Sequence, residues 1–292
     1  MHQVLFSGAT ADVSVEQIRC SGSGTMRKHH LHGTCEIYYL MEGEVSYFIE
    51  DETYLLKKGG IAYINEDRIH RTAYVPSGAH ERVLIELDAR FPEKVRRLFP
   101  ALPFGTFLFG DCAVFQLNPE EQKQMESLLT GLILELSSKK PGCQDGVRIL
   151  LTALLLGILR KSAESGGSCF PIRNSKNGKV YQVIDYLTEN YASPGSLKDL
   201  SKRFYLDKYY LCHLFKRATG LTIREYLNAV RLKKAKALLS DGKNRSITEI
   251  SRDIGYESVT HFDRVFREYI GQSPLKYRKI HKDAISDSSL HN

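Results

Sequence analysis

Nowhere does the 292-residue chain hold an apolar run long enough to cross a membrane. The longest, Ile149–Leu159, falls far short of the roughly 20 residues a spanning helix needs. The N-terminus also lacks a basic start followed by a long apolar stretch, so no signal peptide is expected. Paired cysteines are missing as well. Cys20, Cys35, Cys112, Cys143, Cys169 and Cys212 include no CxxC and no framework spacing, which argues against disulfides and a structural zinc finger. Together these absences lead us to expect a reducing cytoplasm and no membrane partner. Acidic residues are scarce in one part only. Residues 179–292 hold 21 Lys and Arg against 13 Asp and Glu, whereas residues 1–178 hold 20 against 21. The net charge of +7 therefore sits in the C-terminal part. Such asymmetry points to an anionic partner for that part, against the plainer reading of a merely basic, soluble domain.

What is present is ordinary for a soluble globular protein: 42 % apolar and 26 % charged residues, in a chain long enough for two domains with a core each. Residues 35–88 read as short strands over Cys35–Met41, Glu44–Glu50, Thr53–Leu56, Ile61–Ile64 and Arg82–Leu87. Turn signals separate them at Glu42-Gly43, Asp51-Glu52 and Lys58-Gly59-Gly60. Short strands at regular spacing suggest a small barrel or sandwich. Two apolar helices follow. The first opens on Pro119 with Asn118 as cap and carries Met125, Leu128, Leu129, Leu132, Ile133 and Leu136. After the break at Pro141-Gly142, the second carries Val147, Leu150, Leu151, Leu154, Leu155 and Ile158. Their stripes either cover the barrel or form part of a subunit interface. The reading is an α+β two-domain chain. An N-terminal domain spans 1–163 (barrel about 1–115, helices about 119–163), then come a Gly/Ser/Asn-rich linker over 164–178, an all-α domain over 179–282 and a polar tail over 283–292 expected to be disordered.

The all-α domain repeats itself. Leu197, Leu200, Ser201 and Phe204 recur at an offset of 50 as Ile247, Ile250, Ser251 and Ile254. One residue then enters, and Leu211, Phe215, Lys216, Gly220, Thr222 and Tyr226 recur at 51 as Phe262, Phe266, Arg267, Gly271, Ser273 and Tyr277. Helix starts are written as capping boxes at Ser196/Asp199, Thr222/Glu225 and Ser246/Glu249, in which hydroxyl and carboxylate each satisfy an orphan N–H. Ser273-Pro274 adds a cap with Pro at N1, and Gly220 and Gly271 mark stops. Each unit reads as a helix-turn-helix, with one long helix, Ile223–Leu239, between them. Two such units suit duplex DNA, where successive major grooves lie about 34 Å apart.

Across about residues 180–280, Ile247, Ile250, Ser251, Gly255, Tyr256, Phe262, Arg264, Phe266, Arg267, Gly271, Ser273, Pro274, Tyr277 and Arg278 form a pattern that resembles the AraC/XylS family of bacterial transcription regulators. Ser251 stands where alanine is usual, Tyr256 where phenylalanine is usual, and His213 where arginine is common. The candidate base readers lie early on each second helix: Tyr209, Cys212 and His213 in unit one, and Val259, Thr260, His261 and Arg264 in unit two. Arg264 is the sharpest, because Phe262 and Phe266 on either side anchor the core and arginine to guanine is the commonest specific contact. Lys208, Lys216, Arg217, Arg231, Lys233, Arg267 and Lys276 are candidates for phosphates, which set affinity and salt dependence, or for solvent.

In the N-terminal domain, Gly24, His30, His32, Glu36 and Gly43 resemble the first cupin motif, and Gly59, Asn65, Asp67 and His70 a weaker second half. Asn65 and Asp67 replace the usual proline and glycine, and Tyr74 replaces asparagine. The resemblance implies a small barrel presenting His30, His32, Glu36 and His70. In a strand His30 and His32 share one face. Such ligands suit Zn, Fe, Mn or Ni, or a metal-free pocket for a small effector, or simply a capped barrel mouth. Tyr39, Tyr47, Tyr63 and Arg71 are further candidates for the lining. The family implies a homodimeric, DNA-binding regulator that needs no cofactor, senses a small molecule such as a carbohydrate, and meets RNA polymerase at promoters. A metal-dependent cupin enzyme with a basic helical appendage is the alternative, and helices used only for protein contacts a third.

Overall fold

The computed structural model describes residues 2–21, 34–66, 68–74, 78–88, 91–100, 112–164, 178–241, 243 and 245–280. The chain divides into two compact units, one drawn from residues up to Ile172 and the other from Arg173–Asn292 together with Ile69–Arg71. Of the expected linker, residues 165–177 lie outside the described residues, as does the tail over 283–292.

The first unit holds β1 (His2–Ala9), β2 (Val13–Ser21), β3 (Thr34–Ile49), β4 (Glu52–Lys57), β5 (Gly60–Ile64), β6 (His70–Tyr74), β7 (Ala79–Asp88), α1 (Phe91–Leu98), β8 (Ala113–Gln116), α2 (Pro119–Ser138) and α3 (Cys143–Glu164). Its sheet runs β1-β2-β7-β3-β5-β8, and β4 and β6 also pair with β3. The strand pairs of defined register are antiparallel. Glu42-Gly43 is not the expected turn. β3 runs through it as one strand, and the register with β7 shifts between Leu40 and Glu42. Gly43 takes a positive φ of 89°, with the backbone oxygen of Ala79 only 2.6 Å from where a Cβ would stand. The same glycine chemistry that makes a turn here makes a bulge.

The bulge changes which residues share a face. Before it, Tyr38 and Leu40 lie in one cluster with Ala62, Ile64, Leu84 and Val114. After it, Val45, Tyr47 and Ile49 join that same cluster, an odd number of residues later. The opposite face, with Cys35, Ile37, Tyr39, Ile61, Tyr63, Val83 and Ile85, packs against the helices. There α2 supplies Met125, Leu129, Leu132 and Leu136, and α3 supplies Val147, Leu151, Leu154, Leu155 and Ile158. Each such side chain, fully buried, contributes about 1.5–3 kcal/mol. The helix stripes therefore cover the sheet, the first of the two readings open at the sequence level. The β1–β2 turn is fastened to the helices by Asp12, whose carboxylate meets Lys94 of α1 and accepts from Arg148 Nε of α3 at 3.0 Å. The Lys94 hydrogen bond, helped by Arg148, holds the Asp12 carboxyl below the usual carboxylate range.

The second unit is helical: α4 (Gly178–Glu189), α5 (Leu197–Phe204), α6 (Lys208–Thr219), α7 (Ile223–Ser240), α8 (Ile247–Asp253) and α9 (Val259–Ile270), then α10 over 274–280. All three expected capping boxes form, and Asn118/Glu121 adds a fourth on α2. Gly220 and Gly271 end α6 and α9 in the left-handed conformation. Ser273 Oγ accepts from Lys276 N at 3.3 Å, the expected cap on α10.

One member of the repeat is imperfect. Ser201 donates its hydroxyl to Leu206 O at 2.7 Å. Its counterpart Ser251 is 1 % exposed, with a buried hydroxyl that has no hydrogen-bond partner among the described residues. An unsatisfied buried polar group costs about 1–3 kcal/mol. Ser251→Ala is therefore expected to stabilise the unit by about 1 kcal/mol, read as a higher urea midpoint at unchanged slope. A lower midpoint would count against the orphaned hydroxyl.

Candidate functional site

Two places carry chemistry: the second helices of the two helix-turn-helix units, and the sheet face turned away from α2 and α3.

In unit one, Asp207 caps α6 and accepts from the amides of Tyr209 (2.8 Å) and Tyr210 (3.1 Å). Leu211 and Phe215 are fully buried, and Phe215 meets Tyr226 of α7 edge-on at 5.7 Å. This fixes the rotation of α6 and leaves Tyr209, Cys212 and His213 exposed. Tyr209 is 77 % exposed. Lys208 Nζ lies 5.0 Å from the centre of its ring.

In unit two, Ser258 caps α9 and accepts from His261 N at 3.3 Å. Phe262, Val265 and Phe266 are buried. Arg264 and Thr260 are exposed, and Val259 and His261 half-buried, with the His261 ring edge-on to Tyr256 at 5.5 Å. The Tyr256 hydroxyl donates to Asn228 of α7 at 3.2 Å, and burial pushes it up to about 12. The long helix thus grips one aromatic from each unit, Tyr226 being its own residue against Phe215.

The basic candidates divide. Lys208, Lys216, Arg217, Arg267 and Lys276 are exposed and Lys233 is half-buried. Arg267 donates Nε to Asp263 at 2.7 Å, one turn back on α9. Arg231 is committed within the fold. Its Nε donates to Tyr191 O at 2.8 Å, its Nη2 to Ala192 O at 3.4 Å, and its guanidinium stacks 5.2 Å from the Tyr256 ring centre. Desolvation accompanies this and lowers its pKa. Arg231 is better described as a brace than as a phosphate ligand. Its spacing on α7 offered no hint of this, because its partners lie about 40 residues earlier.

On the sheet, Glu36 Oε1 accepts the Tyr47 hydroxyl at 2.8 Å, and Glu36 is 1 % exposed. Tyr38 and Tyr47 pack at 4.7 Å, and the Arg82 guanidinium lies 5.5 Å from the Tyr38 ring centre. Desolvation and the Glu36 charge push the Tyr47 hydroxyl well up, keeping it a donor. Tyr38 and Arg82 were not singled out from sequence. Tyr38 shares the face of Glu36 by simple alternation, Arg82 stands opposite Leu40 on β7, and the bulge brings Tyr47 to them. Tyr39 and Tyr63 lie on the helix-covered face instead, where Tyr39 donates to Glu126 of α2 at 3.0 Å. They do not line this polar face. His70 and Arg71 open β6. His30 and His32 lie outside the described residues. Among the described residues, no group of three or more His, Cys, Asp or Glu side chains could hold a metal ion.

The helix-turn-helix domain model matches residues 200–280, and the AraC-like ligand binding domain model matches residues 15–157. The chain belongs to the AraC family of transcriptional regulators. It is an AraC-type regulator with a helix-turn-helix DNA-binding domain and an N-terminal ligand-binding domain. It is 26 % identical over 271 residues to the melibiose operon regulatory protein of Escherichia coli, covering 87 % of this chain and 84 % of that one. It is 25 % identical over 284 residues to the transcriptional activator RhaS of Yersinia pestis, covering 95 % and 98 %. The structure of ToxT from Vibrio cholerae aligns over 91 % of this chain and 98 % of that one, at 14 % identity and a TM-score of 0.40. Among the described residues, no helix is long and apolar enough to cross a membrane.

Proposed function

We propose that this AraC-family regulator is a cytoplasmic homodimer that reads promoter DNA through Arg264 and answers to a carbohydrate-like effector in its N-terminal domain. The observation that carries the DNA reading is the state of Arg264. It is exposed on α9, and no ion pair or hydrogen bond holds it among the described residues, while its neighbour Arg267 is taken by Asp263. Tyr209, Cys212, His213, Val259, Thr260 and His261 complete the reading surface, and Lys208, Lys216, Arg217, Lys233 and Lys276 serve phosphates. Arg264→Ala is expected to weaken specific binding by about 1–3 kcal/mol and to relax one base position. Selection of bound sequences from random duplex DNA at two salt concentrations checks this. Equal affinity of the unmutated chain for selected and scrambled DNA would overturn it.

Support for a sugar comes from the relative named for the melibiose operon and from the hydroxyl- and carboxylate-bearing face of Glu36 and Tyr47. His30, His32, Glu36 and His70 are the proposed effector ligands. This reading calls for no resident metal; the four would hold the effector through hydrogen bonds. The effector acts by binding one arrangement of the protein better than another, the only way a ligand moves such an equilibrium. RNA polymerase is the partner at the promoter.

The dimer reading rests on Leu134 of α2 and Ile149 of α3, which are 62 % and 69 % exposed. Sedimentation of the full chain at micromolar concentration is expected to give a dimer, and Leu134→Glu with Ile149→Glu a folded monomer. A double variant that stays dimeric would move the interface elsewhere.

A further inference from the structure

We infer that the two recognition helices read boxes of opposite chemistry: α6 contacts thymine methyl groups, and α9 contacts a guanine. This rests on the reading of the chain as a sequence-specific DNA binder and assigns the base class taken by each half of it.

The two second helices descend from one repeated unit, yet their exposed early turns differ in every respect that matters for base edges. A guanine presents two acceptors in the major groove, N7 and O6, and is read by a planar cationic donor. A thymine presents one acceptor and a methyl group, and is read by apolar contact. On α9 the exposed reader is Arg264, and the cap is the neutral Ser258. On the early turns of α6 the candidate readers Tyr209, Cys212 and His213 are exposed, as is Tyr210, and none of them is a forked donor. The cap is Asp207, a carboxylate at the very end that would approach the base acceptors, and it already occupies the Tyr209 and Tyr210 amides. The one cation beside it, Lys208, lies near the face of the Tyr209 ring. What α6 offers is therefore a phenol ring and a thiol, surfaces that suit a methyl group. His213 makes a single hydrogen bond to N7, which guanine and adenine share, so it does not select guanine.

The experiment uses the full chain and duplexes selected from random DNA. Two enriched boxes about one helical turn apart are expected, one with a fixed guanine and one rich in A·T pairs. Deoxyuridine, which lacks only the methyl group, is then placed at each thymine. In the A·T box each lost methyl should weaken binding about fourfold, the equivalent of one methylene-sized apolar group; in the guanine box it should do nothing. Tyr209→Ala should abolish the deoxyuridine effect and keep the guanine preference. The 77 % exposure of Tyr209 makes this a fold-neutral change, checked by an unaltered circular dichroism spectrum. Arg264→Ala should do the converse. Indifference to deoxyuridine, or a fixed guanine in both boxes, overturns the inference while leaving sequence-specific binding intact. No enriched sequence at all overturns the reading beneath it.

Discussion

Gly255→Ala is expected to destabilise the C-terminal unit by about 2–5 kcal/mol, the combined effect of a left-handed backbone and an overpacked contact. Gly255 has φ +86°, and a Cβ there would stand 2.1 Å from the carbonyl oxygen of Ala192 and 2.7 Å from its carbon. That obstacle is backbone, and Arg231 is bonded to the same oxygen, so it cannot swing aside as a side chain would. The turn itself is tight: Gly255 N donates to Arg252 O at 2.9 Å and Tyr256 N to Ser251 O at 2.9 Å. Its counterpart at the offset of 50, Tyr205, takes the same left-handed step at φ 53°. Tyr205 is 88 % exposed, so only the intrinsic strain applies there. For a unit of about 100 residues the loss corresponds to a fall in melting midpoint on the order of 10 °C or more. Differential scanning calorimetry of the full chain reads it, and an unchanged midpoint would show that the Ala192 segment yields.

Phe262→Ala should cost about 3–5 kcal/mol, the usual figure for deleting a buried aromatic ring. Phe262 is fully buried, 5.6 Å from the Phe266 ring, which meets it edge-on, and 5.4 Å from Tyr256. Phe266 in turn meets Tyr277 of α10 at 5.7 Å. Removing the first ring opens a cavity at the head of this chain of contacts, and the rest cannot close on it without moving α9 off α8. Set against a domain's whole stability of about 5–15 kcal/mol, this is a large share of what holds the second helix-turn-helix. Hydrogen exchange over α8 and α9 should rise several-hundredfold or more, the population equivalent of such a loss. Protection at the unmutated level would mean that the aromatic chain does not hold the unit together.

The helical domain was readable because its signals are local. Ser196, Thr222 and Ser246 each stand three residues before a carboxylate, and each box forms. The outward aim of Arg264 followed from the buried phenylalanines on either side. The sheet was less legible. β1, β2 and β8 went unread: β1 is mostly exposed or half-exposed, and β2 breaks its own alternation at Gln17. Glu42-Gly43 carries turn chemistry, and only pairing with β7 makes it a bulge. The face taken by Tyr39 and Tyr63 depends on that pairing, and the use of Arg231 depends on a loop far away in sequence. Local rules cannot supply either.

The bulge in β3 has a consequence for how this domain can vary. Tyr47 reaches Glu36 across eleven positions, a separation that an unbroken strand would place on opposite sides. A one-residue deletion between Leu40 and Gly43 would only remove the bulge, leaving ten positions that an unbroken strand keeps on one face, whereas a one-residue deletion between Gly43 and Tyr47 would keep the bulge and turn Tyr47 toward the helices and Phe48 toward Glu36. Lengthening or trimming a surface loop changes little by comparison. Variation that preserves the sensor can alter what stands on β3, but not the count of residues between the bulge and Tyr47.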